Sequence, residues 1–585
     1  MEGWWIRYHE YFQREKEALD RLGYNWKIDE TAFGEGRLII NVVYPYEDGV
    51  INLEASYPDS FPYFMPTVSS TNILLEYHQN PIGNTFCLLA ESGAKWNPAF
   101  DTLATLIQDQ LPEVLRAKEA RGDVNCAVNE EKAAEPISAF LNYLKPGVII
   151  HPGWSPPEDI SYGTLILAER SSKRRSREDG FYTFAIVRKF LDGVGHEAVV
   201  FPEAEKLGHT YTEPLLGFWF RVQKKPEAKD AKTITQFVTD NIPEAIRSRL
   251  PLNNNKKFVI AMTYQDELTW EGNNEQDWLF FSAFSQGKPE QDKVVGLKMH
   301  PIVADCGRKE ALLVRTPELS PLSGKRVLVV GLGSLGSPLV TELARAGVGE
   351  LELCDYDSLQ VGNSVRWALG WSMAGHFKTQ ALQFFLTENF PHTNIELIHR
   401  RLGEPPRPIS EPNAEKTFDV AIMEKAISKA DLVIDASAEY RVHHFLADTC
   451  QTFQKSYLWL STTHGALGGR IGRIIPNTGQ GCFHCAMHHI ADGNIVRPPE
   501  QEGVRLQAPG CAALTFTGAG IDATTIAIQA SRLAIATLCR DHENAYPDFN
   551  WNLAVIRLRD TEGSSVLQET DVYQLDPHPE CQCQK

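Results

Sequence analysis

The stretch KRVLVVGLGSLGSPLVTELARAG, residues 325–347, decides the fold of the second half of the chain. Its first seven residues carry a buried-strand pattern, a Gly-rich turn follows, and SPLVTELARAG reads as a helix. ELELCDYD at 350–357 is a second strand and DLVIDAS at 431–437 a later one. Strands alternating with helices predict a doubly wound α/β domain. Gly331, Gly333 and Gly336 form GxGxxG between strand and helix. Glycine permits the tight turn and lets backbone amides approach a phosphate at the helix N-terminus. Asp355 ends the next strand and can hydrogen-bond a ribose hydroxyl. These features suit NAD and ATP equally.

The segments DYDSLQVGNSVRW at 355–367 and GHFKTQAL at 375–382 break the tie, because they put Asp355, Asn363, Arg366 and Lys378 in a short window. The pattern GxGxxG, then DxD, N, R and K resembles the adenylation domain of the ThiF, MoeB and ubiquitin-activating family. The resemblance implies that Asp355 binds ribose and that Asn363, Arg366 and Lys378 hold the ATP phosphates. The chemistry agrees: attack of a carboxylate on the α-phosphate builds charge on phosphate oxygens, and fixed cations stabilise it. A dehydrogenase has no comparable need for that cationic pair. One position departs from the family, which carries a second aspartate for magnesium three residues after the strand-end acid. Here Asp435 is followed by Ala436, Ser437, Ala438 and Glu439. The metal role then falls to Asp435 or Glu439.

Cys482 and Cys485 form CFHC, and Cys581 and Cys583 form CQC near the C-terminus. Two close pairs suit a four-thiolate structural zinc site. The MoeB and ThiF family carries CxxC pairs in both places, so CxC is a change of spacing, and His484, His488 and His489 are substitute ligands to consider. Cys511 follows a Pro-Gly turn and precedes a helical stretch, where a thiol gains thiolate character. In the resembling enzymes a cysteine in this loop takes the adenylated carboxylate as a thioester, and Cys511 matches that placement. Cys354, Cys450 and Cys539 read as buried fillers.

At the other end, residues 4–21 place Trp4, Trp5, Tyr8, Tyr11, Phe12 and Leu19 at helical spacing. LIINVVY at 38–44 and VINLEA at 50–55, separated by PYEDG, predict a hairpin. A Pro-rich segment, the sequence HQNPIGNTFCLL at 78–89, Trp96, Pro98 and a helix N-capped by Asp101 follow. ASYPDSFPYFMPTV at 55–68 and the run from His78 to Leu111 resemble a ubiquitin-conjugating enzyme over residues 1–120. The resemblance implies a thioester on Cys87. His78-Gln79-Asn80-Pro81 departs from the family's His-Pro-Asn order, which leaves Asn80 as a candidate oxyanion donor.

Composition bounds the rest. A chain of 585 residues needs several cores, and 43% hydrophobic with 10% aromatic residues can fill them. A formal charge of −18 argues against a nucleic-acid binder, and RSSKRRSR at 170–177 reads as a solvated loop. The start is no secretory signal, no apolar run suggests a membrane span, and eleven scattered cysteines fit a reducing cytoplasm. Residues 117–136 are polar and charged and read as a linker or an exposed helix, and 137–310 as a mixed domain with no motif.

The expected organisation is α/β multidomain: an α+β conjugating-like domain at 1–120, a linker and connecting domain at 121–310, and a doubly wound adenylation domain at 311–585. The expected activity is ATP- and magnesium-dependent activation of a partner's flexible C-terminus, followed by relay through Cys511 and Cys87 to a target amine. By resemblance the enzyme is a homodimer. The order of modules is similar to the fusion enzymes of cyclic-oligonucleotide antiphage (CBASS) operons, which act on a cGAS-like nucleotidyltransferase; a ubiquitin-like protein is the other donor class. A sulfur-carrier or peptide adenylyltransferase, a nicotinamide-dependent oxidoreductase and a non-catalytic scaffold are the alternatives.

Overall fold

The computed structural model describes residues 3–75, 78–80, 82–88, 96–119, 136–141, 147–170, 183–226, 231–251, 256–268, 274–285, 297–405, 419–501, 516–560 and 562–584. The chain divides into two compact units, Met1–Ala204 with Tyr211–Gly307, and Glu205–Thr210 with Arg308–Lys585.

The first unit opens with helices Trp4–Arg7 and His9–Arg21, then an antiparallel sheet in the order β1 (Asn25–Ile28), β2 (Ile39–Tyr46), β3 (Gly49–Ser56), β4 (Thr67–Ser70). The predicted hairpin is β2–β3, closed by the pair Tyr46–Gly49. Alternation along β3 sends Ile51, Leu53 and Ala55 inward, as a half-buried strand requires. There they meet Trp4, Phe12 and Leu19 from the N-terminal helices and Leu103, Ile107 and Leu111 from helix Leu103–Glu119.

The start of that last helix differs from expectation. The Asp101 carboxylate accepts from the Asn97 amide at 2.5 Å, outside the helix. Thr102 Oγ1 instead accepts from the Thr105 amide at 3.2 Å, and Glu15 from helix His9–Arg21 takes the Leu103 amide at 2.9 Å. A buried acid from a distant helix therefore shares the capping that local sequence assigned to Asp101.

The remainder of this unit is an eight-stranded mixed sheet in the order β5 (Gly147–His151), β12 (Leu297–Cys306), β11 (Asn274–Ser285), β10 (Lys257–Glu267), β9 (Tyr211–Arg221), β6 (Tyr162–Arg170), β7 (Thr183–Asp192), β8 (Glu197–Val200). β5 also pairs with β7, through Gly147–Thr183 to Ile150–Ile186, so the sheet closes on itself. Phe190, Trp219, Trp278 and Phe280 pack together in one core, and helix Ala231–Asn241 covers a second.

The second unit holds eight strands in the order β15 (Asn394–His399), β14 (Glu350–Asp355), β13 (Arg326–Val330), β16 (Leu432–Asp435), β17 (Ser456–Thr462), β18 (Gly468–Ile474), β19 (Leu553–Arg559), β20 (Ser565–Tyr573). The first five are parallel and the last three antiparallel. Helices Gly336–Arg345, Lys378–Asn389 and Gly520–Cys539 join one core with the sheet. Helices Asp419–Lys429, Tyr440–Thr452 and Phe483–Ala491 join the other. This is the doubly wound arrangement the alternating pattern predicts. The chain leaves β13 for β14 on one side and returns to β16 on the other, so the carboxyl ends of β13 and β16 form a topological switch point, where such sheets bind ligands. Among the described residues, no helix is long and apolar enough to cross a membrane.

Candidate functional site

At the switch point, Val330 pairs with Cys354 of β14 and with Asp435 of β16, which aligns three strand ends. The glycine-rich turn leaves from there into helix Gly336–Arg345. Gly331 has φ +87°, and a Cβ on it would lie 2.5 Å from the Ser437 backbone. A Cβ on Gly336 would sit 1.9 Å from the Gly331 carbonyl oxygen. Both positions exclude a side chain on steric grounds. A Cβ on Gly333 would meet nothing within 4 Å, so this glycine leaves open space above the turn instead.

Asp355 closes β14 with both oxygens engaged: one accepts from the Leu332 amide at 2.7 Å, the other from the Asp357 amide at 2.8 Å. It therefore ties the glycine turn to the strand, with lone pairs left over for a ribose hydroxyl. The segment carrying Asn363 and Arg366 is stitched to the same turn. Trp367 is buried and donates its indole N–H to the Leu332 carbonyl at 2.6 Å, while Ser337 Oγ accepts from the Ala368 amide at 3.2 Å. Asn363 Oδ1 accepts from the Gln360 amide at 3.0 Å. The Arg366 guanidinium lies 5.9 Å from the Phe516 ring, and Gly520 permits close approach of its helix to the Arg366 backbone. Lys378 is the first residue of helix Lys378–Asn389, and its Nζ is 2.6 Å from Asp357 Oδ2. The structure thus gathers the glycine turn, Asp355, Asn363, Arg366 and Lys378 at adjacent strand ends and the segments tied to them.

Asp435 occupies a different environment from the one expected of a magnesium ligand. It is fully buried: Oδ1 accepts from the Ser437 amide at 3.0 Å and from Ser437 Oγ at 2.6 Å. Oδ2 faces His443 Nδ1 at 2.9 Å and accepts from the Tyr457 hydroxyl at 3.3 Å. Burial, and then the neighbouring Asp435 charge, push the Tyr457 phenol well above its usual range. Asp435 locks helix Tyr440–Thr452 to the strand ends; Glu439, exposed and beside Arg441 at 3.0 Å, is the acid that reaches solvent. Ser437, His443, Tyr457, Trp367 and Asp357 are site-building residues that the motif reading passed over. The second acid of DxD and the tryptophan directly after Arg366 were the available signals.

Cys482, Cys485, Cys581 and Cys583 place their sulfurs within 4.8 Å of one another. Cys482 precedes helix Phe483–Ala491, which puts Cys485 in its first turn. The tail returns because Gly481 donates to the Leu575 carbonyl at 2.7 Å. Sulfur separations are 3.8 Å for Cys482–Cys485, 3.6 Å for Cys482–Cys581 and 3.4 Å for Cys485–Cys583. Desolvation by burial pushes the Cys581 thiol up to about 11. The three histidines considered as substitutes are engaged elsewhere: His484 with Asp448 at 2.6 Å, His488 stacked on His578, and His489 with the Asp576 carbonyl at 3.1 Å. Cys354, Cys450 and Cys539 are buried, and desolvation pushes the Cys450 thiol up to about 12.

Cys87 is half-buried between Phe86 and Leu88, which are both core residues. Its amide donates to the His78 carbonyl at 2.7 Å, and Gln79 pairs with Phe86 in an isolated bridge. Gln79 is buried and braces the turn through Leu75, Ile73 and Asn84. The Asn80 carboxamide oxygen accepts from the Ile82 amide at 2.8 Å. Cys511 lies outside the described residues.

The profile of the ThiF family matches residues 308–571. The C-terminal half of the chain is a ThiF-type adenylation domain. Along its whole length the chain is 27% identical to the uncharacterized protein y4oA of Sinorhizobium fredii, over 100% of this chain and 98% of that protein. It is 29% identical to ubiquitin-like modifier-activating enzyme 5 of Dictyostelium discoideum over 33% of this chain and 49% of that one. It is 26% identical to the sulfur carrier protein ThiS adenylyltransferase of Escherichia coli over 28% of this chain and 59% of that one. The match thus takes in the switch-point site and the Cys482–Cys485 pair, and it ends before Cys581 and Cys583.

Proposed function

We propose that this chain activates the C-terminal carboxylate of a protein or peptide with ATP and relays it through thioesters to an amine. The observation that carries the reading is the glycine turn with open space above Gly333, bound by Asp355 and by Trp367 of the segment that carries Asn363 and Arg366, with Lys378 linked to it through Asp357. The donor's carboxylate oxygen attacks the α-phosphorus, the bond to the β-phosphate breaks, and pyrophosphate leaves. Arg366 and Lys378 offset charge on the phosphate oxygens. Magnesium, held at Glu439 rather than at the buried Asp435, would supply further charge neutralisation. A thiolate, assigned to Cys511, then displaces AMP from the acyl-adenylate. Exchange onto Cys87 and attack by a target amine complete the transfer.

The order of two helices, a four-stranded antiparallel sheet and a later helix, with a half-exposed cysteine after the sheet, supports a conjugating-like role for residues 1–120. The four-cysteine cluster fits zinc. Tetrahedral sulfurs bound at about 2.3 Å lie about 3.8 Å apart, close to the spacings here. Such a site pins the tail to the domain. A homodimer in the cytoplasm, acting on a cGAS-like nucleotidyltransferase or a ubiquitin-like protein in antiphage defence, is the biological setting we assign.

The likeness to the ThiS adenylyltransferase favours one second reading, a sulfur-carrier or peptide adenylyltransferase that needs no Cys87. Incubating the full chain with ATP, magnesium and a donor protein, then resolving thiol-sensitive adducts on wild type, Cys87→Ala and Cys511→Ala, separates the two. The relay predicts that Cys511→Ala loses every adduct while Cys87→Ala keeps one. Identical adducts on wild type and Cys87→Ala, with AMP release, would favour the second reading.

A further inference from the structure

Lys378 is mostly buried, with 12% of its side chain exposed, whereas its partner Asp357 is 44% exposed. The pair is held from both ends. Asp357 Oδ1 accepts from the Ser358 amide at 2.9 Å, which directs Oδ2 to the lysine at 2.6 Å. The Lys378 amide donates to the Asp357 carbonyl at 2.9 Å, and Ser358 bridges to Phe377. Asp357's own amide rests on Asp355, which in turn holds the glycine turn through Leu332. A continuous line of bonds therefore runs from the turn to the lysine, and Asp357 is its last link. A lysine this enclosed needs a counter-charge when no phosphate is present.

We infer that Asp357 is a positioning residue for adenylation: it holds the Lys378 ammonium in place in the empty site and yields it to the nucleotide phosphates on binding. The inference rests on reading this site as an ATP site. Its consequence is a trade. Nucleotide phosphate must compete with Asp357 for the lysine, which weakens binding, and the lysine arrives already oriented, which speeds the step that follows. No bond is made or broken by Asp357, and no proton leaves it.

The test measures ATP and adenosine affinities and ATP–pyrophosphate exchange for full-length wild type, Asp357→Asn, Asp357→Glu, Lys378→Met and the double variant Asp357→Asn/Lys378→Met. Asp357→Asn should bind ATP about threefold to tenfold more tightly, as expected for removing a partly exposed competing charge. Its exchange kcat should fall at least tenfold, with adenosine affinity unchanged and kcat partly rescued by Asp357→Glu. In the Lys378→Met background, where exchange is already lost, the same substitution should leave ATP affinity unchanged, since its effect acts through the lysine. The inference is overturned if Asp357→Asn weakens ATP and adenosine binding alike, or if its effect persists without Lys378; either result makes Asp357 a loop brace. Wild type that binds no ATP would overturn the nucleotide reading itself, which is a different outcome from both.

Discussion

Glu15 offers a prediction whose size follows from its surroundings. It is fully buried in helix His9–Arg21, where Oε2 accepts from the Tyr57 hydroxyl at 2.7 Å and from the Leu103 amide at 2.9 Å. Burial raises its carboxyl from an ordinary 4.5 to about 7, against the opposing pull of the Tyr57 and Leu103 hydrogen bonds and of Arg14. The folded state therefore binds the proton more tightly than the unfolded state. Stability from this group is fully present below about pH 4.5 and is lost as pH rises to about 7, above which it stays constant. At about 1.4 kcal/mol per pH unit the full loss is about 3.5 kcal/mol. Tyr57, the helix N-terminus at Leu103 and Arg14 all face the carboxylate when it ionises, and desolvation still outweighs them.

Glu15→Gln keeps the shape and removes the titration. The assay is amide hydrogen exchange of peptides from helix His9–Arg21 in the full chain, comparing variant and wild type at each pH from 5 to 8. Relative to the variant, wild type should lose about 2.5 kcal/mol of protection across that range, the remainder being lost below pH 5. If the two run parallel, the burial argument for Glu15 is refuted.

Gly336→Ala should destabilise the ThiF-type domain by about 3 kcal/mol in chemical denaturation, since its Cβ would overlap the Gly331 carbonyl. Gly333→Ala should change stability by less than about 0.5 kcal/mol yet weaken ATP in calorimetry. Asp435→Asn should cost about 3 kcal/mol of stability and leave the magnesium dependence of exchange in place, whereas Glu439→Gln should shift that dependence to higher magnesium without changing the melting temperature. Purified protein should carry stoichiometric zinc by elemental analysis, and Cys485→Ser or chelation should expose the tail after Leu575 to proteolysis.

Much of this was legible in the chain because local chemistry encodes it. The run 325–347 makes its strand, turn and helix from neighbours alone, and the β2–β3 hairpin announces itself by two apolar runs around PYEDG. What escaped depends on distant pairing. The strand-like runs between 137 and 310 are visible singly, but closure of their sheet through β5 and β7 joins residues 147–150 to 183–186, and no periodicity reports that. Asp101 resembles an N-cap, yet Glu15 from far upstream takes the Leu103 amide. Asp435 resembles a metal ligand at a strand end, and it is the later His443 and Tyr457 that turn its carboxylate inward.

The most direct measurement of the central claim is ATP–pyrophosphate exchange by the full chain with donor proteins that end in flexible tails, beside ATP and NAD affinities measured in the same preparation. The account predicts exchange that requires a donor, disappears in Arg366→Ala and Lys378→Met, and accompanies tighter binding of ATP than of NAD. A chain that prefers NAD and supports no exchange with any tail would contradict it.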